Sequence, residues 1–293
     1  MSFSQHIVPP DTAPQRLSEY AVGIFAELPS RKGVRKAIER GEMLVNGAPS
    51  QTGYWVQPGD RLEWIPALRP IPKIFPRKLS IIFEDEYLAV INKPAGLPVS
   101  GNFYKSVQRA LPYNLDPSPA PGGLAYAIPV HRLDGPTSGM LIVARTQLAL
   151  IELGKAFQEH RIRKTYHALV QGEIPYSGFI DQPLDGQNAL TSYRRLDLVH
   201  SRRMGPLSWV ELQPHTGRTH QLRRHMAGLG FPILGDQEYA SAAGTIKGKG
   251  LFLAAVGLRF FHPIEAHREI ILRIATSHKL RRRMEREGNR EYP

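Results

Sequence analysis

The sequence predicts an α+β protein: a large domain built on a mostly antiparallel mixed sheet, preceded by a small α/β domain. Three observations predict it. Residues 14–66 hold two helical stretches followed by short strands, residues 67–79 are rich in proline and basic side chains, and from residue 80 strands of several lengths outnumber helices. The large domain is expected at 80–280, with a basic tail at 281–293.

The first element is expected from Arg16 to Leu28, where Leu17, Tyr20, Ala21, Ile24, Phe25 and Leu28 recur at steps of three and four. A second helix follows at Arg31 to Arg40. Its apolar residues Val34, Ala37 and Ile38 share one arc, and Arg31, Lys32, Arg35 and Lys36 fall on the opposite one. Like charges on one helix repel, so a face of nearly single sign points to a polyanion rather than to solubility alone. Gly41 to Gly47 then reads as a helix stop, a strand and an Asn-Gly hairpin turn, and Pro58-Gly59-Asp60 opens a strand from Arg61 to Ile65. Pro66, Pro70, Pro72 and Pro76, interleaved with Arg69, Lys73, Arg77 and Lys78, make a stiff extended linker.

In the larger part, strands are expected at Ser80 to Phe83, Tyr87 to Ile91, Met140 to Ala144 and Tyr166 to Gln171. Thr146 to His160 has helical composition, Pro112 to Gly123 reads as a loop, and Lys279 onward reads as a basic helical end that frays into solvent.

Charge narrows the partners. The chain of 293 residues has 38 Lys and Arg against 26 Asp and Glu, a net charge of +12. Such an excess favours nucleic acid first and an anionic membrane surface second. No run of about 18 apolar residues is present to span a bilayer, and Met1 to Pro14 lacks the basic start and apolar middle of a secretory signal. A cytoplasmic location is expected. With no cysteine in the chain, disulfides and Cys-ligated zinc or iron-sulfur sites are excluded.

The chemistry is concentrated in His131-Arg132-Leu133-Asp134-Gly135-Pro136-Thr137-Ser138-Gly139, which sets an arginine two residues from a carboxylate and then enters the apolar run Met140 to Val143. Alone, an Asp before Gly-Pro is a turn. Its company is Arg163-Lys164-Thr165-Tyr166 and Thr216-Gly217-Arg218-Thr219-His220-Gln221-Leu222-Arg223, with Asn92 to Gly96 and Gly235 to Tyr239 as weaker companions. His215, His220 and His225 recur every five residues, which on a helix leaves each about 140° from the last, so they do not converge on a metal. Gly244 to Gly250 lacks the Gly-Lys-Ser/Thr of a phosphate loop and is expected to be a mobile basic loop touching RNA.

These segments, in this order, resemble the RluA family of pseudouridine synthases over about residues 80 to 265. The resemblance implies an enzyme that breaks the bond between ribose and uracil N1, turns the base and rejoins it through C5, with no cofactor and no metal. It implies Asp134 as catalytic carboxylate, Arg218 as its paired guanidinium, and Tyr166 and Leu222 on the two sides of the base. It further implies Arg132 filling the gap that the flipped base leaves, and Lys164 at a phosphate or at the Asp pocket. His131 orients the loop or touches phosphate. Asp134 acts by attacking the sugar or the base or by assisting departure of the uracil anion, and the residues do not choose among these.

Residues 14 to 66 resemble the alpha-L (S4-like) RNA-binding domain, with Arg31, Lys32, Arg35 and Lys36 as its RNA face. That extra domain points to ribosomal RNA as substrate, with transfer RNA next and a non-catalytic RNA-binding or ribosome-assembly protein as the reading from another class. No spare apolar helix face is evident, so a monomer is expected. Two positions depart from the family pattern: Ala254 stands where relatives often carry histidine, and Gly135-Pro136 replaces a pair that is often charged.

Overall fold

The computed structural model describes residues 4–25, 27–65, 73–240 and 250–288. The chain divides into two compact units, Met1–Ile71 and Pro72–Pro293. The expected linker residues 66–72, most of the basic loop at 244–250 and the last residues of the tail lie outside the described residues.

The first unit contains β1 (Ser4–Ile7), α1 (Leu17–Tyr20), α2 (Arg31–Glu39), β2 (Met43–Val45), β3 (Ala48–Pro49) and β4 (Arg61–Trp64). Its strands form one antiparallel sheet in the order β1-β4-β2-β3. The α2 helix starts where the Ser30 hydroxyl accepts the Gly33 N–H, and it buries Val34, Ala37 and Ile38 against Leu17, Phe25, Met43 and Leu62. Asn46 and Gly47, both at positive φ, turn β2 into β3.

Two expectations change here. The unit begins ahead of residue 14, because β1 pairs with β4 in register His6 to Leu62; four residues with no apolar alternation leave no strand signal of their own. The stretch from Arg16 to Leu28 is helical only over Leu17–Tyr20. Gly23 takes a φ of +76° and its N–H donates to the Leu28 carbonyl, so the chain turns back on itself. The apolar residues are buried as a turn rather than as one helix stripe.

The second unit runs β5 (Ser80–Glu84), β6 (Leu88–Lys93), α3 (Val107–Asn114), β7 (Gly123–Pro129), β8 (Ser138–Thr146), α4 (Gln147–Gln158), β9 (Arg163–Gln171), β10 (Ser177–Asp181), β11 (Leu190–Ser201), β12 (Gly205–Pro214), α5 (Gln221–Gly228), β13 (Leu253–Phe261), β14 (Glu269–Arg273) and α6 (His278–Gly288). One sheet takes them in the order β10-β11-β12-β9-β13-β8-β6-β5, with β14 on β13 and β7 on β8. Among the described strand pairs of this sheet, β8 with β13 is parallel and the others are antiparallel. The fold is α+β.

Both faces of the sheet's middle are covered, which is why β6 and β8 read as unbroken apolar runs. Ile91, Leu141, Tyr166, Val210 and Leu253 pack with α3 and α5 residues on one face. Val90, Met140, Ile142 and Phe260 pack with Ala149, Leu153 and Ala156 of α4 on the other. Pro112 lies inside α3 rather than opening a loop; it falls in the last turn, where its missing N–H costs a single helix bond. The basic end does not simply fray, because Leu280 and Met284 of α6 dock into a cluster with Leu169, Leu207, Leu234 and Phe252.

The parallel seam brings backbones unusually close. Gly139 has a φ of +115°, and a Cβ placed there would lie 2.1 Å from the Ala255 carbonyl oxygen. Only glycine fits, and the seam holds the end of the Asp134 loop against β13.

Candidate active site

The connection from β7 to β8 carries Asp134, and Lys93, Gly96, Thr137 and His131 fix its path. Lys93, fully buried at the end of β6, donates from Nζ to the carbonyls of Pro94 (3.1 Å), Leu97 (2.7 Å) and Gly135 (3.1 Å). The Gly96 N–H donates to the same Gly135 oxygen at 2.8 Å, and the Thr137 N–H to the Asp134 carbonyl at 3.0 Å. His131 Nε2 accepts the Ile142 N–H at 3.0 Å while its ring stacks on Phe157 at 4.6 Å.

This loop faces a cavity of about 280 Å³, near the small end of the ~300–1,000 Å³ range for ligand sites. All seven residues expected to act on the base line it: Asp134, Tyr166, Arg218, Arg132, Lys164, Leu222 and His131. Thr137, His220, Arg223 and Leu253 complete much of the wall. The β9 strand presents Tyr166, and the first turn of α5 presents Leu222 and Arg223. Tyr166 and Leu222 are 8% and 7% exposed, so the cavity wall combines buried apolar side chains with charged ones.

Electrostatics set the protonation states. Burial, and then the charge of Asp134, push the Tyr166 phenol above its ordinary range, so it keeps its proton at neutral pH. Burial pushes the Lys93 ammonium down to about 8 against the opposing pull of Asp134, and burial also lowers Lys164. His131 falls to about 3, through burial and then the charge of Lys164. It is therefore neutral at physiological pH, with Nε2 taken up by the Ile142 N–H.

The expected pairing of Arg218 with Asp134 is corrected. Arg218 Nε donates to the Asn188 carbonyl at 2.9 Å, and among the described ion pairs within 4.0 Å the partner of Asp134 is His220, at 3.6 Å. The buried guanidinium that feels the charge of Asp134 is Arg223, 5% exposed and held by Asp236 and Glu238. Sequence reasoning missed it, and missed Lys93, although both lie in segments singled out above. The signal available was the second arginine of the Thr216 to Arg223 string, followed thirteen residues later by Asp236. His215 turns away to Ser192, and His225 to Thr191 and Gln182. Among the described residues, no group of three or more His, Asp or Glu is placed to hold a metal.

Comparison with known proteins identifies the family. The family model for RNA pseudouridylate synthase matches residues 87–228. An uncharacterised RNA pseudouridine synthase of Chloroflexus aurantiacus is 37% identical over 88% of this chain and 85% of its own. A ribosomal large subunit pseudouridine synthase D of Zymomonas mobilis is 35% identical over 68% of this chain and 70% of its own. A tRNA pseudouridine synthase C of Vibrio cholerae is 34% identical over 63% and 86%. The solved structure of human RNA Pseudouridylate Synthase Domain Containing 1 superposes with a TM-score of 0.57 at 26% identity, over 69% of this chain and 84% of that one. The chain belongs to the RNA pseudouridylate synthase family, of the RluA type. It is an enzyme of the class that isomerises uridine to pseudouridine in RNA.

Proposed function

We propose that this protein isomerises specific uridines of structured ribosomal RNA, with Asp134 as the catalytic carboxylate. The observation that carries the reading is that Asp134 lines the same cavity as Tyr166 and Leu222. The reaction needs no group donor and no redox change: the N1 bond to ribose breaks, the base turns while trapped, and a C5 bond forms. One carboxylate suffices, provided that it stays ionised away from water. Lys93 and Arg223 are the buried cations that feel the charge of Asp134. Tyr166 and Leu222 clamp the base, and stacking on an aromatic ring contributes about 1–3 kcal/mol. Arg132, exposed at the mouth, fills the gap left in the RNA, while Lys164 and Arg218 bind substrate from the cavity wall.

The first unit serves as an S4-like RNA-binding domain through Arg31, Lys32, Arg35 and Lys36, all exposed on α2. Arg31 also pairs with Glu19 at 2.7 Å. The protein works as a cytoplasmic monomer. Among the described residues no helix is long and apolar enough to cross a membrane.

Transfer RNA is the second reading, favoured by the likeness to the tRNA enzyme. Incubation with ribosomal and transfer RNA transcripts, followed by pseudouridine mapping and mass measurement, separates the cases. Pseudouridine in ribosomal RNA at unchanged RNA mass is expected. Modification of transfer RNA alone overturns the choice of substrate, and loss of a base overturns the reaction.

A further inference from the structure

His220 stands just ahead of α5 with φ 54° and ψ 25°, a left-handed conformation uncommon outside glycine, which histidine adopts more readily than most residues. Such strain persists only where the surroundings over-determine it. Its side chain does not cap the helix. The ring instead bridges two acidic groups: Nε2 lies 3.6 Å from Asp134 Oδ1, and Nδ1 lies 3.0 Å from the Tyr239 hydroxyl and 3.4 Å from Glu238 Oε1. The Tyr239 ring meets the imidazole edge-on at 5.7 Å, and Arg223 braces the far side, 4.9 Å from the Tyr239 ring and 3.0 Å from Glu238. The Asp134 side chain is 18% exposed and that of Glu238 is 52% exposed. Asp134, His220, Tyr239 and Glu238 thus run from the sheltered carboxylate out to water.

The hydrogen-bond directions follow from the donor inventory. Glu238, whose carboxyl the Tyr239 hydroxyl holds below its usual range, can only accept. The phenol therefore donates to Glu238 and accepts from His220 Nδ1–H. In the Nδ1–H tautomer the lone pair of Nε2 faces Asp134 Oδ1 and can take a proton from it; with that proton on, the ring donates to both sides.

Pseudouridine formation must discard one. Once C5 has joined the ribose, the C5–H bond breaks, its electron pair closes C5=C6, the C6=N1 pair falls to N1, and N1 takes a proton from water. We propose that His220 is the relay residue for the proton leaving C5, an inference that rests on the reaction assigned above. Asp134 removes the proton and passes it to Nε2. The imidazolium releases its Nδ1 proton to the Tyr239 oxygen as Tyr239 gives its own to Glu238, and Glu238 releases it to water. Asp134 returns to the carboxylate with no net proton gained or lost, and the ring, left as the Nε2–H tautomer, returns to Nδ1–H by exchange with water before the next turnover. The 3.6 Å contact has the looseness that catalytic hydrogen bonds show before substrate tightens them.

The test is single-turnover kinetics on RNA carrying hydrogen or deuterium at C5 of the target uridine, using wild type, His220→Asn and Tyr239→Phe. Asparagine tolerates the left-handed backbone but cannot carry the proton. The wild type is expected to show almost no isotope effect. His220→Asn is expected to be slower by about 10²-fold or more with a clear primary isotope effect, at RNA affinity within about tenfold. Tyr239→Phe is expected to show the same signature with a smaller loss, and it reports even if His220→Asn folds poorly. Variants that turn over at the wild-type rate, or slowly with no isotope effect, overturn the relay while the assigned reaction stands. A wild type that makes no pseudouridine overturns the reading beneath it.

Discussion

Arg223 and Asp236 face each other through two parallel hydrogen bonds, Nε to Oδ2 and Nη2 to Oδ1, each 2.7 Å long. The pair is shielded from water, with the two side chains 6% and 0% exposed. It ties the first turn of α5 to the segment after Ile233, and it fixes a guanidinium that feels the charge of Asp134.

Replacing Arg223 by methionine leaves a buried carboxylate without its cation, which costs about 3–5 kcal/mol. Urea denaturation should show a loss of that size together with loss of turnover. The pH dependence has a definite sign. Burial raises the Asp236 pKa, but the Arg223 hydrogen bond and the backbone N–H groups of Glu238 and Tyr239 outweigh it, and the net shift is downward. This carboxylate therefore stabilises the fold above its unfolded pKa of about 3.9. That contribution is lost as pH falls through the lower folded value.

Three histidines act at higher pH. His131, at about 3, and His167 and His225, lowered to lesser degrees, are all depressed chiefly by burial. Their stabilising effect is complete above the unfolded value of about 6.5 and is lost as pH falls toward the folded values. Each contributes a slope of up to about 1.4 kcal/mol per pH unit within its window. Denaturation at a series of pH values should show stability declining below about pH 6.5. In His131→Gln the decline should be shallower by one proton, and an unchanged slope contradicts the assignment.

Gly139→Ala should fail to give folded enzyme, since its Cβ meets backbone at 2.1 Å and its φ is positive. Gly135→Ala, four residues earlier on the same loop, has nothing within 4 Å and should melt close to the wild type. Thermal melts of the two variants check the parallel seam directly.

Legibility in the sequence followed the range of the interactions. The α2 helix was readable because Val34, Ala37 and Ile38 mark one face within nine residues and Ser30 caps it. The helix expected over Arg16 to Leu28 was not, because Leu17, Ala21, Phe25 and Leu28 are buried all the same in a turn that one positive φ at Gly23 permits. In the site, the seven expected cavity residues were named because they sit in short strings beside Asp134, Tyr166 and Arg218. Which of Arg218 and Arg223 turns inward was not legible. Asp236 decides that by drawing Arg223 into the core, and a contact between α5 and a later loop leaves no periodic trace. Lys93 is a similar case: its three carbonyl partners include Gly135, 42 residues away.

The central claim rests on the Asp134 carboxylate, and Asp134→Asn tests it with nearly the same shape and no charge. Pseudouridine formed in ribosomal RNA should disappear from the variant, while its RNA affinity stays within about tenfold of wild type because basic faces supply most of the binding. Turnover by Asp134→Asn comparable to that of wild type contradicts the assignment of Asp134.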